Sequence, residues 1–240
     1  MPNLANTGVP AGVALQASGG MTVSTAGAVI DALDVRGAIT VSAPNVVIKR
    51  SRFTGSGQTF AIKTTGSGSV RVEDCEFTGN YSAAVIAYDN WTMVRSDISG
   101  VPADGVKLGS NVLFQDNYVH DFATAPGAHA DGGQIQNGVV NTVVRNNTIT
   151  LTANQNAALF MAPDLGPSTN GPLLVEGNLL GGGNYTLYQV DGNNGQYFIQ
   201  NITMRNNKFT RVYKYGPTRV NVPVTAYGNV WADTGGAINF

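Results

Sequence analysis

The sequence repeats one eight-residue phrase, and this repeat limits the fold more than any other feature of the chain. Positions 1, 3 and 8 of the phrase are mostly large and apolar, and position 6 is often Asn, as in TVVRNNTI and ITMRNNKF. Successive copies start 24, 21, 21, 30, 31, 29 and 22 residues apart. Such a period with variable insertions is typical of a solenoid, in which each repeat packs on its neighbours. The eight copies occupy residues 46–53, 70–77, 91–98, 112–119, 142–149, 173–180, 202–209 and 224–231.

Position 6 has the same parity as the apolar position 8, so its side chain is predicted to point inward. A buried Asn amide needs hydrogen-bond partners. Stacked coils supply them, because each amide can bond the copies above and below it. We therefore interpret the repeated Asn as a stacking device rather than a catalytic group. The residues at position 6 are Ser51, Cys75, Ser96, Asn117, Asn147, Asn178, Asn207 and Asn229.

A second short apolar segment follows most copies of the phrase, and no ten-residue window has convincing helical periodicity. Two or three short parallel strands per turn predict an all-β chain, a single parallel β-helix of about eight or nine coils. Residues 1–43 are predicted to form an N-terminal cap and first coil, continuous with the β-helix of residues 44–240. The predicted second strands are residues 60–63, 85–88, 106–109, 133–136, 159–162, 188–190 and 212–215.

The composition excludes some partners and compartments. Charged residues make up only 12% of the chain, about half the usual share, and the net charge is -1, so we expect no nucleic-acid partner. The single cysteine, Cys75, rules out an internal disulfide. No apolar run approaches the ~20 residues that span a bilayer, and the N-terminus does not read as a secretory signal.

Three stretches resemble the right-handed parallel β-helix proteins of actinobacteria and the minor tail proteins of phages that infect them. They are NTGVPAGVAL, AGAVIDALDVRGAITVSAPNVVIKRSRFTG, and LFMAPDLGP followed by LLVEGNLLGGGNYTLY. The resemblance implies a right-handed β-helix of the pectate-lyase-like superfamily, which includes polysaccharide lyases, glycoside hydrolases and phage tailspikes. Secreted members of the family carry a signal peptide and paired cysteines. Since this sequence shows neither, the phage-borne form is favoured.

The motif Ala-Asp-Gly occurs at residues 103–105 and again at 130–132, in both cases just before a predicted second strand. We expect Asp104 and Asp131 to stack on adjacent coils, about 4.8 Å apart. Two carboxyls at that separation can raise one pKa and leave the other group ionised, as a glycoside hydrolase requires. Together with Lys107 and His129 they are the candidate catalytic residues. The alternative is that each Asp-Gly starts a turn and the Asp caps its backbone.

His120 and His129 flank the loop HDFATAPGAHAD, which lengthens its coil. Long loops on a rigid scaffold often carry binding surfaces, although a loop His is often solvated or hydrogen-bonded. The spacing of these groups matches no zinc signature, and no Ca²⁺ loop pattern is visible despite several nearby aspartates. We therefore predict no metal and no cofactor, with Ca²⁺ left as an alternative that no motif supports.

Aromatic and polar side chains elsewhere suit the faces and hydroxyls of sugars. The alternatives are packing for the aromatic C-terminal coils and rigidity for the Pro- and Gly-rich loop around residue 164. A lyase acting on uronic acid polymers would need a base, for which Lys63, Lys107 and Tyr88 are candidates. The predicted glycan-binding residues are Tyr88, His120, Gln134, Gln136, Asp164 and Tyr188.

Three functional hypotheses follow. The first is a phage-borne protein of the virion tail or surface, made in the host cytoplasm, that engages a polysaccharide or cell-wall glycan or other virion proteins. The second is a glycan-cleaving enzyme, for which a hydrolase is favoured over a lyase. The third is a structural spacer. A secreted protein with its signal removed is the alternative localisation, and both monomer and homotrimer remain open.

Overall fold

The computed structural model describes residues 1–123 and 129–240, and it confirms the predicted all-β parallel helix. One short 3₁₀ helix, Asn193–Gly195, interrupts the strands. The strands are β1 (Gln16–Val23), β2 (Val29–Asp31), β3 (Leu33–Val41), β4 (Val46–Lys49), β5 (Arg52–Thr64), β6 (Val70–Glu73), β7 (Glu76–Ala87), β8 (Trp91–Val94), β9 (Asp97–Ser99), β10 (Asp104–Lys107), β11 (Val112–Gln115), β12 (Tyr118–His120), β13 (Asp131–Ile135), β14 (Thr142–Arg145), β15 (Thr148–Thr150), β16 (Ala157–Met161), β17 (Leu173–Glu176), β18 (Leu179–Gly181), β19 (Tyr185–Gln189), β20 (Ile202–Arg205), β21 (Lys208–Phe209), β22 (Gly216–Val220), β23 (Thr225–Tyr227) and β24 (Val230–Trp231).

The strands stack into three faces. Face A is the nine-stranded sheet β2-β4-β6-β8-β11-β14-β17-β20-β23, built from the first half of each phrase. The long strands β3, β5 and β7 start the other two faces, which diverge after β7. Face B continues through the short strands β9-β12-β15-β18-β21-β24, and face C through β10-β13-β16-β19-β22. Every named strand pairs in parallel with the next coil, so the chain winds as one solenoid.

A sharp corner separates face A from face B at position 5 of the phrase. All eight residues at this position have a positive φ, from 47° at Arg50 to 67° at Gly228. This left-handed conformation is easy for Gly and Asn but costs other residues roughly 1–2 kcal/mol. Arg50 and Arg95 occupy it while forming paired contacts to Asp31 and Asp74 on the preceding coil. The eight-residue phrase is therefore a strand, a left-handed corner and a second short strand.

The residue after the corner forms the predicted internal ladder. Asn147 is fully buried, and its Nδ2 donates to the Phe114 carbonyl at 2.8 Å. Its Oδ1 accepts from the backbone N–H of Asn117 at 2.9 Å. The same pattern recurs at the Asn of the next three coils, and the smaller Ser and Cys side chains replace it in the first coils. Burial raises the pKa of the Cys75 thiol to about 12, as expected for an unreactive core position.

Two predictions of strand position need correction. Residues 212–215 are not a strand, because the N–H groups of Lys214 and Tyr215 bond the loop carbonyls of Gly183 and Asn184, and β22 begins only at Gly216. The alignment also missed a ninth copy of the phrase at residues 28–35, where Val29 pairs with Val47. It was missed because Leu33 stands at its position 6. In the described ranges, no helix is long and apolar enough to cross a membrane.

Candidate functional site

A cleft of about 870 Å³ opens on face C, beside strands β7, β10 and β13. We call it the central cleft. Six of the residues predicted from the sequence line it, together with aromatic side chains and a backbone segment after β13. The six are Tyr88, Asp104, Lys107, His129, Gln134 and Gln136.

The two Ala-Asp-Gly motifs are aligned by the strand register, as the sequence predicts. Strand β10 pairs with β13 through Val106 with Gly133 and Lys107 with Gln134, so the first residues of both strands stack. The backbone N–H of Asp131 donates to Asp104 Oδ1 at 2.8 Å. These aspartates thus begin strands and stack on each other.

The glycine of each motif is required by close packing. A Cβ on Gly105 would lie 2.4 Å from the carbonyl oxygen of Gly132, nearer than real Cβ contacts come. A Cβ on Gly132 would lie 2.4 Å from Cγ2 of Ile149. The absence of side chains here lets the coils approach at the start of β10 and β13, which brings the two aspartates together.

Asp104 forms a buried ion pair with Lys107. Its Oδ2 accepts from Lys107 Nζ at 2.5 Å, and both side chains are largely buried. Burial raises the pKa of Asp104 above its ordinary value, although the Lys107 charge opposes the rise. Lys107 Nζ also donates to Oε1 of Gln134. An ammonium has three N–H donors, so within residues 1–123 and 129–240 one is left for a ligand in the cleft.

Asp131 has a different environment and no exposed surface. Its Oδ1 accepts from Asn156 Nδ2 at 2.9 Å, whereas its Oδ2 is buried without a hydrogen-bond partner in the described part of the chain. Burial, with the nearby charge of Asp104, raises the pKa of Asp131 well above its ordinary value. The two carboxyls therefore have unlike surroundings, since Lys107 bonds Asp104 and the pKa of Asp131 is raised well above its ordinary value.

Aromatic side chains form one wall of the central cleft. The rings of Phe60 and Tyr88 meet edge to face with centroids 5.4 Å apart, and Tyr88 is 51% exposed. Phe60 and Asn156 were missed in the sequence. Phe60 stands in the predicted strand at 60–63, and Asn156 immediately precedes Ala157, which pairs with Asp131, so a register alignment of the second strands would have found both.

The remaining predicted residues lie elsewhere. Asp164 is exposed in a loop, where its Oδ1 accepts from the backbone N–H of Asn193 at 2.9 Å. Tyr188 lies further along face C, two rungs beyond Gln134. The middle of the loop that separates His120 from His129, residues 124–128, lies outside the described residues.

His120 is on face B and does not share the cleft with His129. Its ring contacts carboxylates on both sides, with Nε2 at 3.0 Å from Asp97 Oδ2 and Nδ1 at 2.7 Å from Asp121 Oδ2. Burial lowers the pKa of His120, but the hydrogen bonds and charges of Asp97 and Asp121 together raise it by more, so it lies above its ordinary value. This arrangement anchors the end of β12 and leaves neither ring nitrogen for a glycan.

Residues 1–123 and 129–240 contain no cluster of three or more His, Cys, Asp or Glu side chains placed to hold a metal ion. A Ca²⁺ site needs several converging carboxylate or carbonyl oxygens. The carboxylate of Asp104 is instead paired with Lys107.

The family model described as right handed beta helix region matches residues 10–162. No curated protein and no solved structure matches the chain.

Proposed function

The chain belongs to the right-handed β-helix family, and from that premise we propose that it binds a carbohydrate polymer in the central cleft. This fold fits a carbohydrate-interacting protein of the pectate-lyase-like kind. The fold alone does not select a function, so the proposal depends on the residues of the site.

The observation that carries the proposal is the mixed lining of the central cleft. An exposed ring, Tyr88, stands beside the Lys107 ammonium and the amides of Gln134 and Gln136. Rings pack on the apolar face of a sugar, and ammonium and amide groups bond its hydroxyls. A concave site of several hundred Å³ with a few placed polar groups is the usual form of a ligand pocket.

We further propose that the protein acts at a phage virion, on its tail or surface, where it engages the glycan of a host cell or neighbouring virion subunits. The resemblance of residues 6–15 and 26–55 to minor tail proteins of actinobacterial phages supports this location. A rigid stack of parallel coils suits attachment, because it presents a fixed surface without a large conformational change. Secretion, and a purely structural role as a spacer, are the competing proposals.

Glycan cleavage is the second candidate function, and the Asp104–Asp131 pair favours it. A carboxyl that favours its neutral form can protonate a leaving glycosidic oxygen, while a carboxylate on the same site acts as base or nucleophile. Against this, Asp131 has no exposed surface and Asp104 is engaged by Lys107. A hydrolase would therefore need this part of face C to open before a sugar reached both groups.

A lyase receives less support. Its base must reach the sugar, but Lys107 Nζ is hydrogen-bonded to Asp104 and to Gln134. Lys63, the other candidate base, lies two rungs from Lys107, with Ala87 of β7 on the rung between them.

Binding to a panel of purified host-wall and acidic polysaccharides tests the main proposal. We expect wild type to bind at least one polymer, and Tyr88→Ala to weaken that binding on the order of tenfold, the scale of a lost sugar–ring contact. Tyr227→Ala is the matched control, since Tyr227 on face A has a nearly equal exposure of 50%. Equal effects of the two substitutions would contradict a site in the cleft.

Product release from the same polymers decides between binding and cleavage. New reducing ends without unsaturated sugars, formed with wild type and not with Asp131→Asn, would establish a hydrolase. Unsaturated sugars that depend on Lys107 would establish a lyase. Binding without either product would leave the protein an adhesin.

A further inference from the structure

A cluster of aromatic rings lies on face C beyond the central cleft. Tyr188 stands at its centre, with ring centroids 5.2 Å from Phe160 and 5.3 Å from Tyr185. Tyr185 in turn lies 5.8 Å from Tyr215, which is 62% exposed. We call these four residues the aromatic platform. Since Phe160, Tyr185 and Tyr188 are only partly buried, the platform presents ring surface to solvent.

Two cations lie over the rings of the platform. The guanidinium carbon of Arg219 is 5.9 Å from the centroid of the Tyr188 ring, and Lys214 Nζ is 5.1 Å from that of Tyr215. Both side chains are exposed. Neither forms a salt bridge to a carboxylate in the described part of the chain, unlike Arg205 with Glu176 or Arg211 with Asp233. The platform therefore has positive charge without an internal counter-charge.

The aromatic platform continues the floor of the central cleft. The strand register places Lys107, Gln134, Phe160, Tyr188 and Arg219 in one outward row across β10, β13, β16, β19 and β22. Adjacent strands are about 4.8 Å apart, so the row runs parallel to the helix axis over some four rungs. The pKa of the Tyr188 phenol is raised, mainly by burial.

We propose that the aromatic platform is a subsite for an acidic sugar, one that carries a carboxylate, within the polymer whose neighbouring units occupy the central cleft. The inference rests on the proposed glycan-binding function and adds the class of ligand. The rings pack on the sugar face, and Arg219 and Lys214 bind its carboxylate. An arginine guanidinium suits this role because its N–H groups match the two oxygens of a carboxylate.

The test compares polymers that differ only in charge. The probes are polygalacturonate, alginate and hyaluronan, each beside its carboxyl-reduced form, with affinity measured by titration calorimetry at fixed salt. The variant is Arg219→Gln/Lys214→Gln. The control, Arg36→Gln/Lys208→Gln, removes the same charge from exposed positions outside the platform. It separates a defined subsite from general attraction to a polyanion.

We expect wild type to prefer an acidic polymer over its reduced form, and the platform variant to lose that preference, with affinity falling roughly tenfold or more. The control should retain it. If the platform variant binds like wild type while Tyr88→Ala binds weakly, the acidic subsite is wrong and the cleft proposal stands. If wild type binds no polymer, acidic or reduced, both proposals are contradicted.

Discussion

Asp104 accepts a hydrogen bond from the backbone N–H of Asp131 at 2.8 Å, so the register of β10 and β13 itself joins the aspartates of the two Ala-Asp-Gly motifs. Although the two aspartates occupy equivalent positions in their motifs, their carboxyl groups have different partners. Asp104 has Lys107 as its counter-ion, whereas among the described residues Asp131 has an amide partner on one oxygen and none on the other. The asymmetry follows from their order along the stack.

The first prediction concerns pH. The folded chain raises the pKa of Asp131 well above 3.8, so it binds that proton more tightly than the unfolded chain does. The resulting stability is fully present below pH 3.8 and is lost as the pH rises through the folded pKa, at about 1.4 kcal/mol per unit. Asp131→Asn stays neutral, so its free energy of unfolding should fall less between about pH 4 and pH 8. Urea unfolding at both pH values, with exposed Asp164→Asn as control, measures this, and an unchanged pH dependence would contradict it.

The second prediction concerns the ion pair. Lys107→Met leaves the Asp104 carboxylate buried without its counter-ion, which should destabilise the fold by about 3–5 kcal/mol at neutral pH. Lys107→Met/Asp104→Asn removes both charges and should recover a large part of the loss. Chemical denaturation of Lys107→Met, of Asp104→Asn and of the double variant gives the coupling energy between the two side chains. Additive losses would show that the pair does not stabilise the fold as described.

The third prediction concerns the internal ladder. Asn178→Ala removes the acceptor of the Asn147 N–H and Nδ2 groups and the donor to the Val144 carbonyl. Because each buried group left unpaired costs about 1–3 kcal/mol, the total loss should be roughly 3–5 kcal/mol. Asn154→Ala, at an exposed position, should change stability by less than about 0.5 kcal/mol. Thermal and urea unfolding compare the two, and similar small losses would refute the role of the ladder.

The fourth prediction concerns the Ala-Asp-Gly glycines. A Cβ at Gly132 would meet Ile149 Cγ2 at 2.4 Å and the Ala158 carbonyl oxygen at 2.6 Å. Gly132→Ala should therefore cost about 1–3 kcal/mol through overpacking. Gly19→Ala is the control, because nothing lies within 4 Å of its added Cβ and its φ is not positive. A neutral Gly132→Ala would mean that the coils are less tightly packed here than described.

Much of the fold could be predicted because stacking repeats the same physical demand at every coil. Apolar positions 1 and 3 alternate with polar ones, and a buried amide at position 6 must bond its neighbours, so Asn147 and its equivalents were identifiable. Residues 212–215 have a similar apolar pattern, yet their exposed side chains and loop contacts place the strand after them. The apolar pattern alone does not predict this shift in the start of the strand, because the length of the preceding loop determines where β22 begins.

The site was predictable only where the motif and the register coincide. Asp104 and Asp131 stand in identical motifs, so their stacking followed from the sequence. His120 and His129 are neighbours in the sequence but belong to faces B and C, because a corner lies between them. The aromatic platform depends on side chains from β16, β19 and the loop before β22, whose spacing in the sequence does not show their alignment.

Hydrogen–deuterium exchange with and without the tightest-binding polysaccharide tests the central claim most directly. The account predicts that the ligand slows exchange in β7, β10 and β13 and in the segment of residues 136–139 that lines the central cleft. Face A should exchange at the same rate in both states, which provides an internal control. Slower exchange confined to face A or face B would contradict a glycan site in the cleft.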